Sequence, residues 1–145
     1  MTIRLPQPKT KARFLLIGYG LGLLFWLGLE NHSTLLVALL GFGAALIYIT
    51  TAIMNRFHSR DLPMRLWCVG LIVWGAIIGA ASTLTTALLM VFKSSWHGHL
   101  TPDYPPQLIL DMLTRLPIWT LSGLLIGFCC SIFIFLRQLK IVNSL

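Results

Sequence analysis

Charge is what this sequence has least of. Only 10% of its 145 residues are Asp, Glu, Lys or Arg, against about 25% in a soluble domain. A chain so poor in charge cannot cover a globular surface with groups that water accepts. Lipid is the solvent that removes the requirement. Acidic residues are scarcest: Glu30, Asp61, Asp103 and Asp111 are the whole set. Acid–base catalysis therefore has few groups to draw on. The sequence also lacks a glycine-rich phosphate loop, a Ser-His-Asp or Cys-His arrangement, and paired carboxylates. Its polar segments are too short to fold a catalytic domain. The expectation is a protein that is not an enzyme and takes no soluble substrate.

Cysteine is nearly absent as well. Cys68, Cys129 and Cys130 all fall in apolar runs. They have neither metal-ligand spacing nor a nearby His or Asp, and read as small packing residues. The opening stretch MTIRLPQPKTKAR leads into an apolar run that ends LGLENH with no small-residue cleavage site. That pattern reads as a retained first helix rather than a signal peptide.

What the chain has in abundance is hydrophobic residues, 57% of the total. They gather in four runs, at about 12–29, 34–54, 66–92 and 117–136. Inside their flanks these runs hold no Asp, Glu, Lys, Arg or His. An apolar run in lipid has to satisfy its own backbone polar groups, so each reads as a helix. The first is at the short end for a span and the third is long enough to tilt. Between the first two, Glu30-Asn31-His32-Ser33 makes a tight turn, and Asn31 or Ser33 is placed to cap the second helix. The stretch 55–65 is a short polar loop whose Pro63 suits a helix start. The long loop 93–116 carries Pro102, Pro105 and Pro106. Within it, QLILDMLTR at 107–115 reads as a short amphipathic helix on the membrane surface. Leu108, Ile109, Met112 and Leu113 fall on one side of it, and Asp111, Thr114 and Arg115 on the other. The predicted fold is an all-α membrane protein: an up-down bundle of four transmembrane helices with a short interfacial helix between the third and fourth. The whole of 1–145 forms a single domain.

The net charge of +7 raises the question of nucleic acid, but the basic residues lie between apolar runs, as membrane anchoring and anionic lipid require. Arg4, Lys9, Lys11 and Arg13 lie before or at the start of the first run. Arg56, Arg60 and Arg65 follow the second, and Arg137 and Lys140 follow the fourth. Those segments share one side and hold nine of the eleven Lys and Arg residues. Lys93 and Arg115 fall on the other side, with Glu30, Asp103 and Asp111. The positive-inside rule then predicts that both termini are cytoplasmic, in a bacterial inner membrane or a thylakoid-type membrane. Trp26, Trp67, Trp96, Trp119 and Tyr104 lie near run ends, as interfacial aromatics do.

Small residues at helical spacing are the strongest pattern. Gly18 and Gly22 mark the first run. Gly75, Gly79 and Thr83 mark the third, and Gly123, Gly127 and Ser131 the fourth. Helices in lipid gain no hydrophobic energy from meeting each other, so close backbone approach has to hold them together. Such faces serve either packing within the chain or docking on other membrane proteins. Leu62-Pro63 and Leu116-Pro117 lead into the third and fourth runs alike, an echo that a shared packing demand explains.

Other constellations carry weaker chemistry. Ser82, Thr83, Thr85 and Thr86 form a hydroxyl cluster that would line a polar path or bond their own backbone. No ionisable group sits at mid-membrane to support ion coupling. His97, His99 and Asp103 form the one patch that resembles a zinc or copper site. A solvated loop end is the plainer reading. His32 and His58 stand at run boundaries, where His32 is a candidate tetrapyrrole ligand. Trp67 and Trp74 lie seven apart on one face and suit packing or lipid contact. No cofactor is strongly implied. The leading expectation is an accessory or scaffold subunit that packs, within the lipid bilayer, against other membrane protein subunits of a larger complex such as a respiratory or photosynthetic one. A small oligomeric channel or transporter is the second reading, and a metal- or tetrapyrrole-binding membrane protein the third.

Overall fold

Each apolar run is a helix, and four helices extend past at least one end of their apolar core or begin in polar sequence. The computed structural model describes residues 2–4, 10–29, 33–57, 61–96 and 102–142. In chain order it contains β1 (Thr2–Arg4), α1 (Thr10–Leu27), α2 (Thr34–Phe57), β2 (Asp61–Pro63), α3 (Met64–Trp96), α4 (Pro106–Thr114) and α5 (Leu116–Val142). The expected run ends fall short of α2, α3 and α5 because hydropathy marks what hydrocarbon accepts. The backbone ladder continues through Arg56 and Arg137, which water or headgroups can solvate, and through Lys93, which is buried. Three helices, Thr34–Phe57, Met64–Trp96 and Leu116–Gln138, are long and apolar enough to cross a membrane, and a shorter apolar stretch, Arg13–Leu27, lies in α1.

Local chemistry sets the helix starts. Ser33 Oγ accepts the Leu36 N–H at 3.3 Å, which satisfies one of the four unpaired donors at the start of α2. Pro63 ends β2 and the helix begins one residue later, at Met64. Its missing N–H costs nothing at that boundary. Pro106 opens α4, and the extended Pro105 before it takes the Leu108 N–H at 2.9 Å. Arg115 alone separates α4 from α5.

Helix α3 is the hub. It packs most extensively on α5, then on α2, and carries α4 at one end, while α1 rests on α2. The contacts run in opposite senses along each pair. Leu71, Gly75 and Gly79 of α3 meet Gly127, Gly123 and Trp119 of α5 in descending order. Gly41 of α2 meets Thr86 of α3, and Phe57 meets Trp74 with ring centroids 6.0 Å apart. Tyr19 of α1 donates to the Leu40 carbonyl of α2, and Trp26 and Val37 share a cluster further on. Each of these pairs is therefore antiparallel.

The two ends of the bundle differ. At one, Trp26, Val37, Met90, Tyr104 and Met112 form the buried apolar cluster. The amphipathic face expected of α4 is what closes it: Met112 is buried and Leu108 and Ile109 pack beside it, with Asp111, Thr114 and Arg115 outside. At the other end β1 pairs antiparallel with β2, Ile3 opposite Leu62, beside the edge-to-face Trp67–Trp74 pair at 5.2 Å. Between the ends the outer surface is apolar. Phe25 is 73% exposed and Phe133 66%. Only 11% of the apolar window of α5 is buried within the chain. Patches of that extent are incompatible with water and suit acyl chains.

Candidate functional site

The most extensive helix pairing among the described residues is α3 with α5, and glycines line its seam. A Cβ placed on Gly75 would run into the Gly123 carbonyl oxygen and lie 3.2 Å from Gly127 Cα. One on Gly123 would meet the Gly75 carbonyl oxygen and Gly79 Cα at 3.2 Å. Gly79 is backed by the Trp119 carbonyl and Gly127 by the Leu71 carbonyl. Every obstacle is backbone, which cannot swing aside. The seam exists because these positions lack a side chain, and the contact it allows is dispersion between bare helix backbones. Thr83 is fully buried one turn beyond Gly79, and Ser131 is buried one turn beyond Gly127.

The other expected glycine face behaves differently. Nothing lies within 4 Å of a Cβ placed on Gly18, Gly20 or Gly22. Helix α1 meets α2 through Tyr19 instead. The Tyr19 ring lies against Gly43, whose missing side chain makes room for it, and its hydroxyl donates to the Leu40 carbonyl. Gly41 and Gly43 were not singled out from sequence. They are two residues apart and so do not share one helix face.

The hydroxyl cluster lies where α3 crosses α2. Thr85 Oγ1 donates to the Gly41 carbonyl at 2.7 Å, with its own Ala81 carbonyl at 2.8 Å. Ser82 donates to Ile78 at 2.6 Å and Thr86 to Ser82 at 2.7 Å. Thr83 leans toward the Gly79 carbonyl at 3.5 Å. Ser82, Thr83 and Thr86 are buried between helices. Each of the four hydroxyls therefore has a carbonyl for its proton, in three cases only within its own helix.

A buried cation is the feature sequence reasoning missed. Lys93 is 0% exposed, with its ammonium 4.3 Å from the centroid of the Trp26 ring. A desolvated ammonium over an indole gains about 2 kcal/mol or more from the ring quadrupole. The Asp103 carboxylate also acts on it through space. Next to Asp103, Tyr104 is 1% exposed and its backbone N–H is held by Ser94 Oγ at 3.0 Å. Burial first, and then Asp103, hold the Tyr104 phenol above its ordinary pKa. The Tyr104 hydroxyl and the Trp26 indole N–H are buried without a hydrogen-bond partner among the described residues. From sequence, Lys93 is a flanking cation and Trp26 an interfacial ring. Their shared cage comes from the helix end, the Pro-bounded loop and α1 converging there.

A cavity of about 580 Å3 opens beside this cage, between α2, α4 and α5, with Met90 of α3 in its wall. Its lining is apolar except for Thr34, Asp111 and Arg115.

The metal and tetrapyrrole readings rest on His97, His99 and His32, which, like His58, lie outside the described residues. Asp103 is described and half-buried at the cage. Among the described residues no three His, Cys, Asp or Glu side chains gather as a metal site. Cys68, Cys129 and Cys130 are free thiols. Comparison with protein-family models, with curated proteins and with solved structures gives no match.

Proposed function

We propose that the chain is a four-span integral membrane protein with both termini cytoplasmic, α4 lying at the opposite membrane surface, and that it acts non-enzymatically as an accessory or scaffold subunit. It docks on a larger membrane complex through the glycine face of α1. One observation carries this reading: Gly75, Gly79, Gly123 and Gly127 are consumed inside the chain, while Gly18 and Gly22 meet nothing among the described residues. A spanning helix that leaves a small-residue face bare has its packing surface available to another helix. The second support is the polar inventory. The hydroxyls of α3 are directed at carbonyls, so the cluster Ser82–Thr86 offers little to a solute, and the channel reading loses its strongest feature.

The topology draws support from the ladder between β1 and β2, which brings the N-terminal segment to the connector between α2 and α3. Those two segments carry much of the Lys and Arg excess. Helix α1, with 18 residues, is about 27 Å long and nearly matches a 30 Å hydrocarbon core.

The test is co-purification from the chain's own membranes in mild detergent. Gly18→Leu with Gly22→Leu is expected to release the partner subunits while the monomer stays folded. Retention of the same partners by the double variant would refute docking through α1. Labelling of cysteines placed at Glu30 and Arg60 from the two sides of the membrane tests the topology. They are expected to react from opposite sides, and reaction from one side would end the four-span reading.

A further inference from the structure

The cavity between α2, α4 and α5 is polar at one end only. Thr34 starts α2, Asp111 lies on the outer side of α4 and Arg115 just past its end; beyond them the walls include Leu35, Leu39, Phe42 and Ile126. From Thr34 to Phe42 the groove follows α2 for about 12 Å, at 1.5 Å per residue. Half of a hydrocarbon core is about 15 Å. The groove is therefore nearly as deep as one leaflet. Leu35, Leu39 and Ile126 are themselves exposed on the outer surface, so it opens sideways to the bilayer and an acyl chain can enter without leaving hydrocarbon.

The mouth has a charge pattern of its own. Asp111 in α4 and Arg115, the residue just past its end, are both exposed and four residues apart, a spacing that commonly pairs. Within the described residues they form no ion pair with each other. An acidic and a basic group thus share the mouth of an apolar slot. An anionic headgroup would satisfy Arg115 and set its phosphate against Asp111. A headgroup carrying both a phosphate and an amine satisfies both, since guanidinium takes phosphate in two hydrogen bonds and a carboxylate accepts from an ammonium.

We infer that this groove binds one molecule of a zwitterionic, primary-amine phospholipid. An acyl chain lies along Leu35, Leu39 and Phe42, the phosphate rests on Arg115 and the ammonium on Asp111. The inference rests on α4 lying at the membrane surface.

Native mass spectrometry of the purified full chain tests it, with phosphatidylethanolamine, phosphatidylglycerol and phosphatidylcholine of identical chains added in turn. The wild type is expected to retain phosphatidylethanolamine about fivefold better than phosphatidylglycerol, the effect of one charge-assisted contact. Asp111→Asn is expected to reverse that order, and Arg115→Gln to weaken retention of all three lipids. Equal retention of the three by the wild type, or an order untouched by both variants, would overturn the proposal and leave the groove to bulk lipid or to a helix of another chain. Both side chains are exposed, so neither variant disturbs the core. A depth probe separates this failure from failure of the surface reading. Bimane on Thr114→Cys, in a chain with its own cysteines changed to Ala, is expected to be quenched by headgroup-level quenchers. Headgroup-level quenching without lipid selectivity sinks the lipid inference alone. Quenching from the bilayer centre, or from water only, sinks the surface reading with it.

Discussion

The α3–α5 seam and helix α1 carry the same sequence pattern and have opposite fates. Both present glycines four residues apart on an apolar helix. In the seam each glycine faces the backbone of a second helix: Gly75 and Gly123 face each other, Gly79 faces Trp119 and Gly127 faces Leu71. In α1 the glycines face nothing, and the contact with α2 is made by a tyrosine seated on Gly43. A small residue permits close approach but does not cause it. The cause is a partner with a matching gap at the matching height. Gly75 and Gly123 find theirs in each other, and Gly79 and Gly127 in the Trp119 and Leu71 backbones of the same chain. Gly18 and Gly22 find none among the described residues.

That contrast is open to attack at several strengths. The largest effect is expected from Gly123→Leu. The new side chain would have to displace the Gly75 carbonyl and Gly79, and forced overpacking against well-packed neighbours costs about 1–3 kcal/mol or more. Loss of the monodisperse folded species in detergent is the readout, and a Gly123→Leu protein as stable as wild type would remove the seam from the account.

A smaller effect tests the α2–α3 crossing. Thr85→Val keeps the shape and removes the one hydroxyl bond that links those helices. Interhelical hydrogen bonds in membranes average about 0.6 kcal/mol, so a destabilisation of about that size is expected in a denaturation series. A much larger loss would mean that the hydroxyl cluster does more than fasten two helices.

The smallest effect has the opposite sign. Tyr104→Phe removes a buried hydroxyl that has no partner among the described residues, so stability at neutral pH is expected to hold or rise by up to about 1 kcal/mol. The same variant tests the phenol's raised pKa. With the folded value above the unfolded one, the folded chain keeps a proton that the unfolded chain loses. Tyr104 thus contributes fully below about pH 10 and its contribution falls as pH rises through the folded value. Tyr104→Phe is expected to lessen the alkaline loss of stability. An unchanged alkaline limb would contradict the buried phenol.

How much of this was legible in the sequence varies by feature. The helices were, because uncharged runs of such length have one stable backbone in lipid. So was the amphipathic face of α4, from the spacing of Leu108, Ile109 and Met112. Helix ends were not, since Arg56 and Lys93 continue a backbone ladder that hydropathy stops short of. Gly75, Gly79, Gly123 and Gly127 stood out, but a pattern on one helix cannot say which other helix fills it. That information lies in the tertiary pairing, which is also why Gly18 and Gly22 looked the same as the seam glycines. The Lys93 cage was least visible. Trp26, Lys93 and Asp103 come from three separate segments, and no local spacing ties a flanking lysine to an indole on another helix.

The most direct test substitutes the smallest side chain on each side of the comparison. Gly79→Ala and Gly18→Ala are measured as purified monomers by thermal unfolding in one detergent. Gly79→Ala is expected to cost about 1–3 kcal/mol, because a Cβ there meets the Trp119 carbonyl. Gly18→Ala is expected to be neutral or stabilising by up to about 1 kcal/mol, the helix propensity gained where nothing stands in the way. Equal losses at both positions, or a loss at Gly18 alone, would contradict the division between a seam consumed within the chain and a face left open for a partner.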